Sequence, residues 1–530
     1  MLLFFASSRS KTLSNDHQHT PMSSESLNEE AHIRYVRIAI LGTGFAGLGM
    51  ALRLKQRGQE DFVVLERASD IGGTWRDNTY PGCACDIPSH LYSFSFALNP
   101  HWSRMYSPQQ EIWDYLRQCA RRFGILPHIQ WNSELLDASW NEDDQRWHIT
   151  TTQGQLIADI LILGHGPLSE PSLPPIPGIE SFEGVLFHSA QWKHDYDLTG
   201  KRVAVIGTGA SAVQFVPLIQ PQVGHLFLFL RTPPWIVPRG DHPIPTWQRA
   251  MFRILPITQH FVRSIIYWRQ ELIARGLVYQ PSLMEKGMQL ARQHLAKQVP
   301  DPILRAKLTP QYTMGCKRIL LSDDFYPALN QSNVEVVTER IHEIQAHSAV
   351  TEDGREHEID TIICGTGFHV TDSQLPQHVY GHSGQSLADS WHAGPRAYLG
   401  TTVAGFPNLF LLIGPNTGLG HNSMIYMIES QITYILDCLR TMDRQSLQAI
   451  EVRPEVEETF NTELQQRMQS TVWISGCTSW YLDARGRNTA LWPGFTFEFR
   501  RRTRHFDPQH YELLPQQAST SAGKTTTVQK

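Results

Sequence analysis

The sequence predicts an α/β fold of the doubly wound kind, organised as two nucleotide-binding units with the second inserted into the first. Three observations carry that prediction. Two glycine-rich turns, Gly42-Thr43-Gly44-Phe45-Ala46-Gly47 and Gly207-Thr208-Gly209-Ala210-Ser211-Ala212, lie 165 positions apart. Each follows a β-branched, apolar run, Val36 to Leu41 and Val203 to Ile206, which reads as a buried strand turning into a helix N-terminus. Each is followed, after the same 24 positions, by a charged residue closing a second apolar run: Glu66 after Phe62 to Leu65, and Arg231 after Leu226 to Leu230.

These elements read in order as chemistry. Glycines at such turns let backbone N–H groups approach a pyrophosphate, whose charge the helix dipole favours. The residue closing the second strand then reads the adenosine ribose. A carboxylate accepts hydrogen bonds from free ribose hydroxyls, whereas a guanidinium clamps a 2′-phosphate with two N–H bonds. The Glu66 unit therefore suits FAD or NAD, and the Arg231 unit suits NADP. Ala212 stands where the first turn has Gly47 and holds its helix slightly farther from the strand, in keeping with NADP.

A chain of 530 residues is long enough for two or three domains, and its 41% hydrophobic and 18% charged residues are those of a soluble globular protein. A net charge of −5 argues against a nucleic-acid binder. The seven cysteines are an odd, scattered set without repeated spacing, which argues against a disulfide framework or zinc ribbon and makes a reducing cytoplasm the expected location. Cys83-x-Cys85 lacks the Cys-x-x-Cys spacing of disulfide reductases, so these thiols read as inert and no metal site is expected. His165, His369 and His421 read as core or surface histidines. The opening Met1 to Ala6 is too short for a signal peptide, and its basic residues follow rather than precede it. No apolar run reaches the length needed to span a bilayer.

Domain limits follow from punctuation. Residues 1–34 and 511–530 are expected to be disordered tails, 35–167 the first part of the Glu66 unit, 168–358 the Arg231 unit, and 359–510 the remainder of the first unit. The proline-rich Pro171 to Gly178 leads into the insert, and the strand Ile359 to Cys364, ending on Gly365-Thr366-Gly367-Phe368, is expected to return the chain to the first unit. A helical insertion falls at about 243–310. Its apolar residues Phe252, Ile254, Leu255, Ile257, Phe261, Ile265, Ile266 and Trp268 alternate with Arg249, Arg253, Arg263 and Arg269. A helical subdomain packed on the second unit is the preferred reading, ahead of peripheral membrane contact or a lipophilic-substrate entrance.

Between the two turns, Phe182-Glu183-Gly184-Val185-Leu186-Phe187-His188-Ser189-Ala190-Gln191-Trp192-Lys193 resembles the identifying motif of type I Baeyer-Villiger monooxygenases, F-x-G-x-x-x-H-x-x-x-W followed by Pro or Asp. Phe182, Gly184, His188 and Trp192 match, and Lys193 departs. Flavin monooxygenases that oxidise nitrogen and sulfur carry a related motif ending in Tyr or Phe, so Trp192 favours the Baeyer-Villiger branch. A second family signature, [A/G]-G-x-W-x-x-x-x-[F/Y]-P-[G/M]-x-x-x-D, is matched in full from Gly72 through Trp75, Tyr80, Pro81 and Gly82 to Asp86. The resemblance extends through Gly315-Cys316-Lys317-Arg318, Gly414-Pro415-Asn416-Thr417 and Ser479-Trp480-Tyr481, and covers nearly everything after residue 34.

The resemblance implies two Rossmann-like dinucleotide-binding domains, for FAD and NADP, the NADP domain inserted into the FAD domain. It implies an enzyme that uses NADPH and O2 to convert ketones to esters or lactones through a C4a-peroxyflavin. Carried over by position, Thr74, Trp75, Asp77, Asp86, Tyr92 and Met424 would contact FAD beside Gly42, Gly44, Gly47 and Glu66. Thr208, Gly209, Ser211, Gln214, Arg231, Thr232 and Lys317 would contact NADP, with Trp480 closing over the nicotinamide side. Arg318 would be the catalytic arginine and Asp86 its carboxylate neighbour, while Phe182, Gly184, His188 and Trp192 form the hinge motif. The residues' own chemistry agrees for Arg318, because an always-protonated guanidinium suits a peroxide anion and the oxyanion that its attack on a carbonyl creates. Oxidation of nitrogen or sulfur centres is the alternative activity. An NADPH-dependent flavin oxidoreductase without oxygenation is a remoter one, disfavoured by the missing Cys-x-x-Cys.

Overall fold

The computed structural model describes residues 33–516 apart from 371, 372, 478 and 484, so residues 1–32 and 517–530 of the expected tails lie outside the described residues. The first glycine turn joins strand β1 (Arg34–Leu41) to helix α1 (Phe45–Gln56), and β2 (Phe62–Leu65) returns parallel to β1. Strand β3 (Gly154–Leu163) pairs with the other edge of β1. All four β2 residues and the last four of β1 are buried, as expected for a parallel sheet covered on both faces. From edge to edge the sheet runs Val379–Tyr380, Leu135–Asn141, Arg146–Thr151, β3, β1, β2 and Ile129–Gln130, with Leu409–Leu411 pairing along β3. The antiparallel pair at 135–151 alternates in burial and so has one wetter face.

The second sheet is wholly parallel. It comprises β4 (Val185–His188), β5 (Arg202–Ile206), β6 (His225–Phe229), β7 (Val334–Val337) and β8 (Thr361–Cys364), in the order β7-β6-β5-β8-β4. Helix α2 (Ala210–Ile219) follows the second glycine turn. Here the structure corrects the sequence reading: β8 belongs to the second sheet and does not return the chain to the first. Asp360 decides the pairing, because its carboxylate accepts from the Arg202 backbone N–H at 2.8 Å and from the Arg202 guanidinium at 2.9 Å, pinning the start of β8 to β5. The chain regains the first sheet only at Val379. The outgoing and returning crossings lie side by side, with the Ser172 N–H donating to Gly367 O and the His369 N–H to Glu170 O, both at 2.9 Å.

The C-terminal limit is also corrected. Tyr511–Pro515, expected in a disordered tail, forms a strand antiparallel to Leu447–Val452. Tyr511 is buried and its hydroxyl lies 2.7 Å from that of Tyr434, on helix α4 (Met424–Gln445). That helix packs on α1, where a Cβ at Gly49 would sit 3.2 Å from Ile432.

The helical insertion departs further from expectation. It contains Thr246–Ile254, Pro256–Ala274 (α3), Met284–Gln298 and Pro302–Lys307. Phe252 is buried and Ile266 partly so, but Ile254, Leu255, Ile257, Phe261, Ile265 and Trp268 face outward. Helix α3 instead buries Gln259, Arg263 and Glu271, because specific partners await them: Gln259 donates to Asn99 O at 2.6 Å and Arg263 to His90 O at 2.7 Å. Glu271 accepts from Asn422 at 2.6 Å and from the Thr496 N–H at 3.0 Å, at the start of helix α5 (Thr496–Arg502). Among the described residues no helix is long and apolar enough to cross a membrane.

Candidate active site

One cavity of about 1440 Å³ runs along both glycine turns, larger than the roughly 300–1,000 Å³ of a pocket for a single small ligand. It opens over the carboxyl ends of β1 and β3 on one side and of β5 and β8 on the other, where doubly wound sheets bind their ligands. The two halves share a construction. The loop after β3 lies so near the first turn that a Cβ at Gly42 would come within 2.9 Å of Gly164 O. The loop after β8 lies so near the second that a Cβ at Gly207 would come within 2.5 Å of Gly365 O.

In the first arm, Gly42, Gly44, Glu66, Thr74, Trp75, Asp77, Tyr92 and Met424 all line the cavity. Gly47 does not. A Cβ there would lie 2.0 Å from Gly42 O, so this glycine serves the approach of helix to turn. Glu66 is 3 % exposed and fully engaged: one carboxylate oxygen accepts from the Thr43 N–H at 3.0 Å and the Thr43 hydroxyl at 2.5 Å, the other from Arg76 at 2.8 Å and the Ala68 N–H at 3.0 Å. Arg76 also bonds Asp77 at 2.6 Å, and the Trp75 indole donates to the Tyr92 hydroxyl at 3.1 Å. Met424 opens α4, capped by Ser423.

In the second arm, Thr208, Gly209, Ser211, Gln214, Arg231, Thr232, Lys317 and Trp480 line the cavity. Gln214 ties the arms together, accepting from the Tyr80 hydroxyl at 3.0 Å and donating to Ala84 O at 3.0 Å. Arg231 is exposed, and neither it nor Lys317 has an acidic partner among the described residues. Burial, helped by the charge of Arg231, pulls the Lys317 ammonium below the usual lysine range. Two cations confronting each other with no carboxylate between them fit a phosphate.

Arg318 and Asp86 meet where the arms join. The guanidinium donates to one Asp86 oxygen from Nε at 3.0 Å and from Nη2 at 2.5 Å, and the two side chains keep 33 % and 27 % of their surface open. The Asp86 charge raises the Arg318 pKa above the usual guanidinium range, so Arg318 stays charged. Lys317 turns elsewhere, its ammonium 5.2 Å from the Tyr312 ring centre. Burial pushes the Cys83 thiol up to about 12, so it remains protonated.

Phe182, Gly184, His188 and Trp192, expected at a hinge, lie outside the cavity lining. His188 ends β4, accepts from the Ala190 N–H at 3.1 Å, and packs its ring 5.6 Å from that of Phe368 on the returning crossing. Trp192 packs between Phe187 and Phe215 at 5.2 and 5.3 Å, and a Cβ at Gly184 would meet Asp360 O at 2.5 Å and the Phe182 ring at 2.4 Å.

Two features were not read from sequence. Cys316 and Cys477 form a disulfide, joining the turn before Arg318 to the segment before Trp480, against the expectation of no disulfide framework. An odd cysteine count and a separation of 161 residues conceal such a pair. His165 lines the cavity beside Gly42, where its Nδ1 is sealed without a partner and burial lowers its pKa to about 4. The glycine ending of β3 was the available signal.

Two glycine turns between parallel strands, an engaged carboxylate, a phosphate-ready cation pair and a charged arginine between them fit two dinucleotides, and define a dinucleotide-dependent oxidoreductase with a reaction site at their junction. Residues 35–380 match the model of the flavin-binding monooxygenase-like family. The chain is 50% identical over 505 residues to a Baeyer-Villiger monooxygenase of Streptomyces coelicolor, covering 94% of this chain and 97% of that one. It is 51% identical over 486 residues to a Baeyer-Villiger monooxygenase of Pseudomonas aeruginosa, covering 91% and 92%. Its fold matches the crystal structure of OTEMO in complex with FAD and NADP with a TM-score of 0.82 at 26% identity, covering 90% of this chain and 99% of that one. The chain belongs to the flavin-binding monooxygenase-like family.

Proposed function

We propose that the protein is an FAD-containing, NADPH-dependent Baeyer-Villiger monooxygenase that converts ketones to esters or lactones with O2. The observation that carries this is Arg318, held charged by Asp86 and open to the cavity between the two dinucleotide arms. It is joined by the likeness to Baeyer-Villiger monooxygenases at half identity over almost the whole chain. The flavin, once bound and reduced, supplies activation of O2 and delivery of one oxygen atom.

The chain's own residues would hold, charge and enclose. In this reading the Gly42 turn and the α1 N-terminus take the FAD pyrophosphate, with Glu66 on its ribose and Trp75, Asp77 and Tyr92 walling the first arm. Arg231 and Lys317 grip the NADPH 2′-phosphate, which selects NADPH over NADH. Arg318 places a permanent positive charge where negative charge develops on oxygen, and Asp86 fixes the plane of that guanidinium. Trp480 covers the nicotinamide side and keeps water out. His188, against the returning crossing, and Trp192, packed between β4 and α2, would transmit rearrangement between the two units.

Arg318→Ala tests the assignment. NADPH is expected still to reduce the bound flavin, while ketone oxygenation falls by about 10²- to 10³-fold or more. Products are read by mass spectrometry after incubation with ketones and, separately, a thioether. Undiminished ester formation by the variant refutes the role of Arg318. Sulfoxide without ester or lactone from the unaltered enzyme moves the activity to oxidation at sulfur.

A further inference from the structure

The α3 helix is inside out. Its inward face carries Gln259, Arg263 and Glu271, each locked to the body by the hydrogen bonds already described, so the helix cannot roll to hide its other face without stranding buried polar groups. The outward face carries Ile257, Phe261, Ile265, Trp268 and Leu272 at helical spacing, exposed by 72, 67, 54, 57 and 72 %, and Ile254 and Trp247 extend it at 75 and 68 %. Phe497 continues it onto α5, its ring 5.9 Å from that of Trp268. This is on the order of 1,000 Å² of apolar surface, beyond the roughly 300–600 Å² of the largest patch on a typical monomer.

The rim of this face is basic. Arg253, Arg269 and Arg275 are exposed beside it, with Arg501 and Arg504 at the end of α5 and just beyond, and none has an acidic partner among the described residues. From His242 to Met284 the only acidic residue is Glu271, which is buried. In a chain of net charge −5 this is a local reversal of sign.

We propose that this face docks on an anionic lipid bilayer, with α3 lying in the plane of the interface. Its apolar stripe would sink to the boundary between headgroups and acyl chains, Trp247 and Trp268 would sit at headgroup level, and the arginines would reach up to lipid phosphates. A second copy of the chain is the weaker occupant. A symmetric dimer sets a patch against itself, and would bring each arginine set near its twin.

The test is flotation of the full-chain holoenzyme with vesicles of phosphatidylcholine alone or of equal parts phosphatidylcholine and phosphatidylglycerol. Binding to the anionic vesicles is expected, weakening with added salt and accompanied by a blue shift of tryptophan emission. Ile257→Gln/Phe261→Gln/Ile265→Gln should cut the bound fraction more than about tenfold while NADPH oxidation is unchanged. Arg253→Gln/Arg269→Gln should weaken binding by about fivefold per arginine on anionic vesicles only. The proposal is overturned if the enzyme floats with neither vesicle, if the triple variant binds as the unaltered chain does, or if the enzyme is a dimer that the triple variant splits into monomers without any vesicle binding.

Discussion

The two nucleotide arms are built on one plan and finished differently. Each places a strand, a glycine turn and a helix against the glycine ending of a neighbouring strand, β3 for the first and β8 for the second. In the first, Gly47 leaves no room for even a methyl group, and Glu66 is buried and bonded on all sides. In the second, Ala212 already carries a methyl group, and Arg231 is exposed without an acidic partner among the described residues. The difference separates residence from exchange. A closed, preorganised arm suits a cofactor that stays, and an open arm with an unspent cation suits one that arrives and leaves each turnover.

The sharpest break in this comparison is Gly47→Ala. Its methyl would meet Gly42 O at 2.0 Å, and a loss of about 3 kcal/mol in stability with loss of bound flavin is expected, read by thermal unfolding and flavin absorbance. Acid should act on the same arm. His165 beside Gly42 has a folded pKa of about 4, below the usual 6.5, so the unfolded chain takes up the proton first. The stability it contributes is present above pH 6.5 and declines as pH falls towards 4, by about 1–3 kcal/mol. The β8 ending has Thr366 in the equivalent place, which does not titrate. Melting temperature against pH should flatten in His165→Gln, and an unchanged profile removes His165 from the explanation. In the open arm, Arg231→Ala should raise the KM for NADPH by about 10- to 100-fold with flavin content and the KM for NADH unchanged. Smallest is Ala212→Gly, expected to cost no more than about 1 kcal/mol and leave NADPH use intact. A large loss there would erase the contrast.

The parts legible in the sequence are those encoded by neighbours in the chain. The glycine turns and their 24-residue rulers are local, and so survive reading by eye. The Arg318 and Asp86 pair joins residues 232 apart, and only the motifs shared with a family bring them together on paper. Strand β8 was misplaced because Thr361-Ile362-Ile363-Cys364 announces burial without an address, and the address came from Asp360 meeting Arg202. For α3 the helical period reveals which residues share a face but not which face turns inward. That sign was set by Asn99, His90 and Asn422, far away in the chain.

The Cys316–Cys477 bridge gives the junction a mechanical character. It turns the chain between those residues, with α4 inside it, into a closed linkage. In chain-entropy terms, cross-linking a loop of this length raises the free energy of the unfolded chain by about 5 kcal/mol. Within the folded molecule its effect is kinematic. The turn that carries Arg318 is covalently tied to the segment that carries Trp480, so neither can shift far without the other. Cutting the bridge would release that tie.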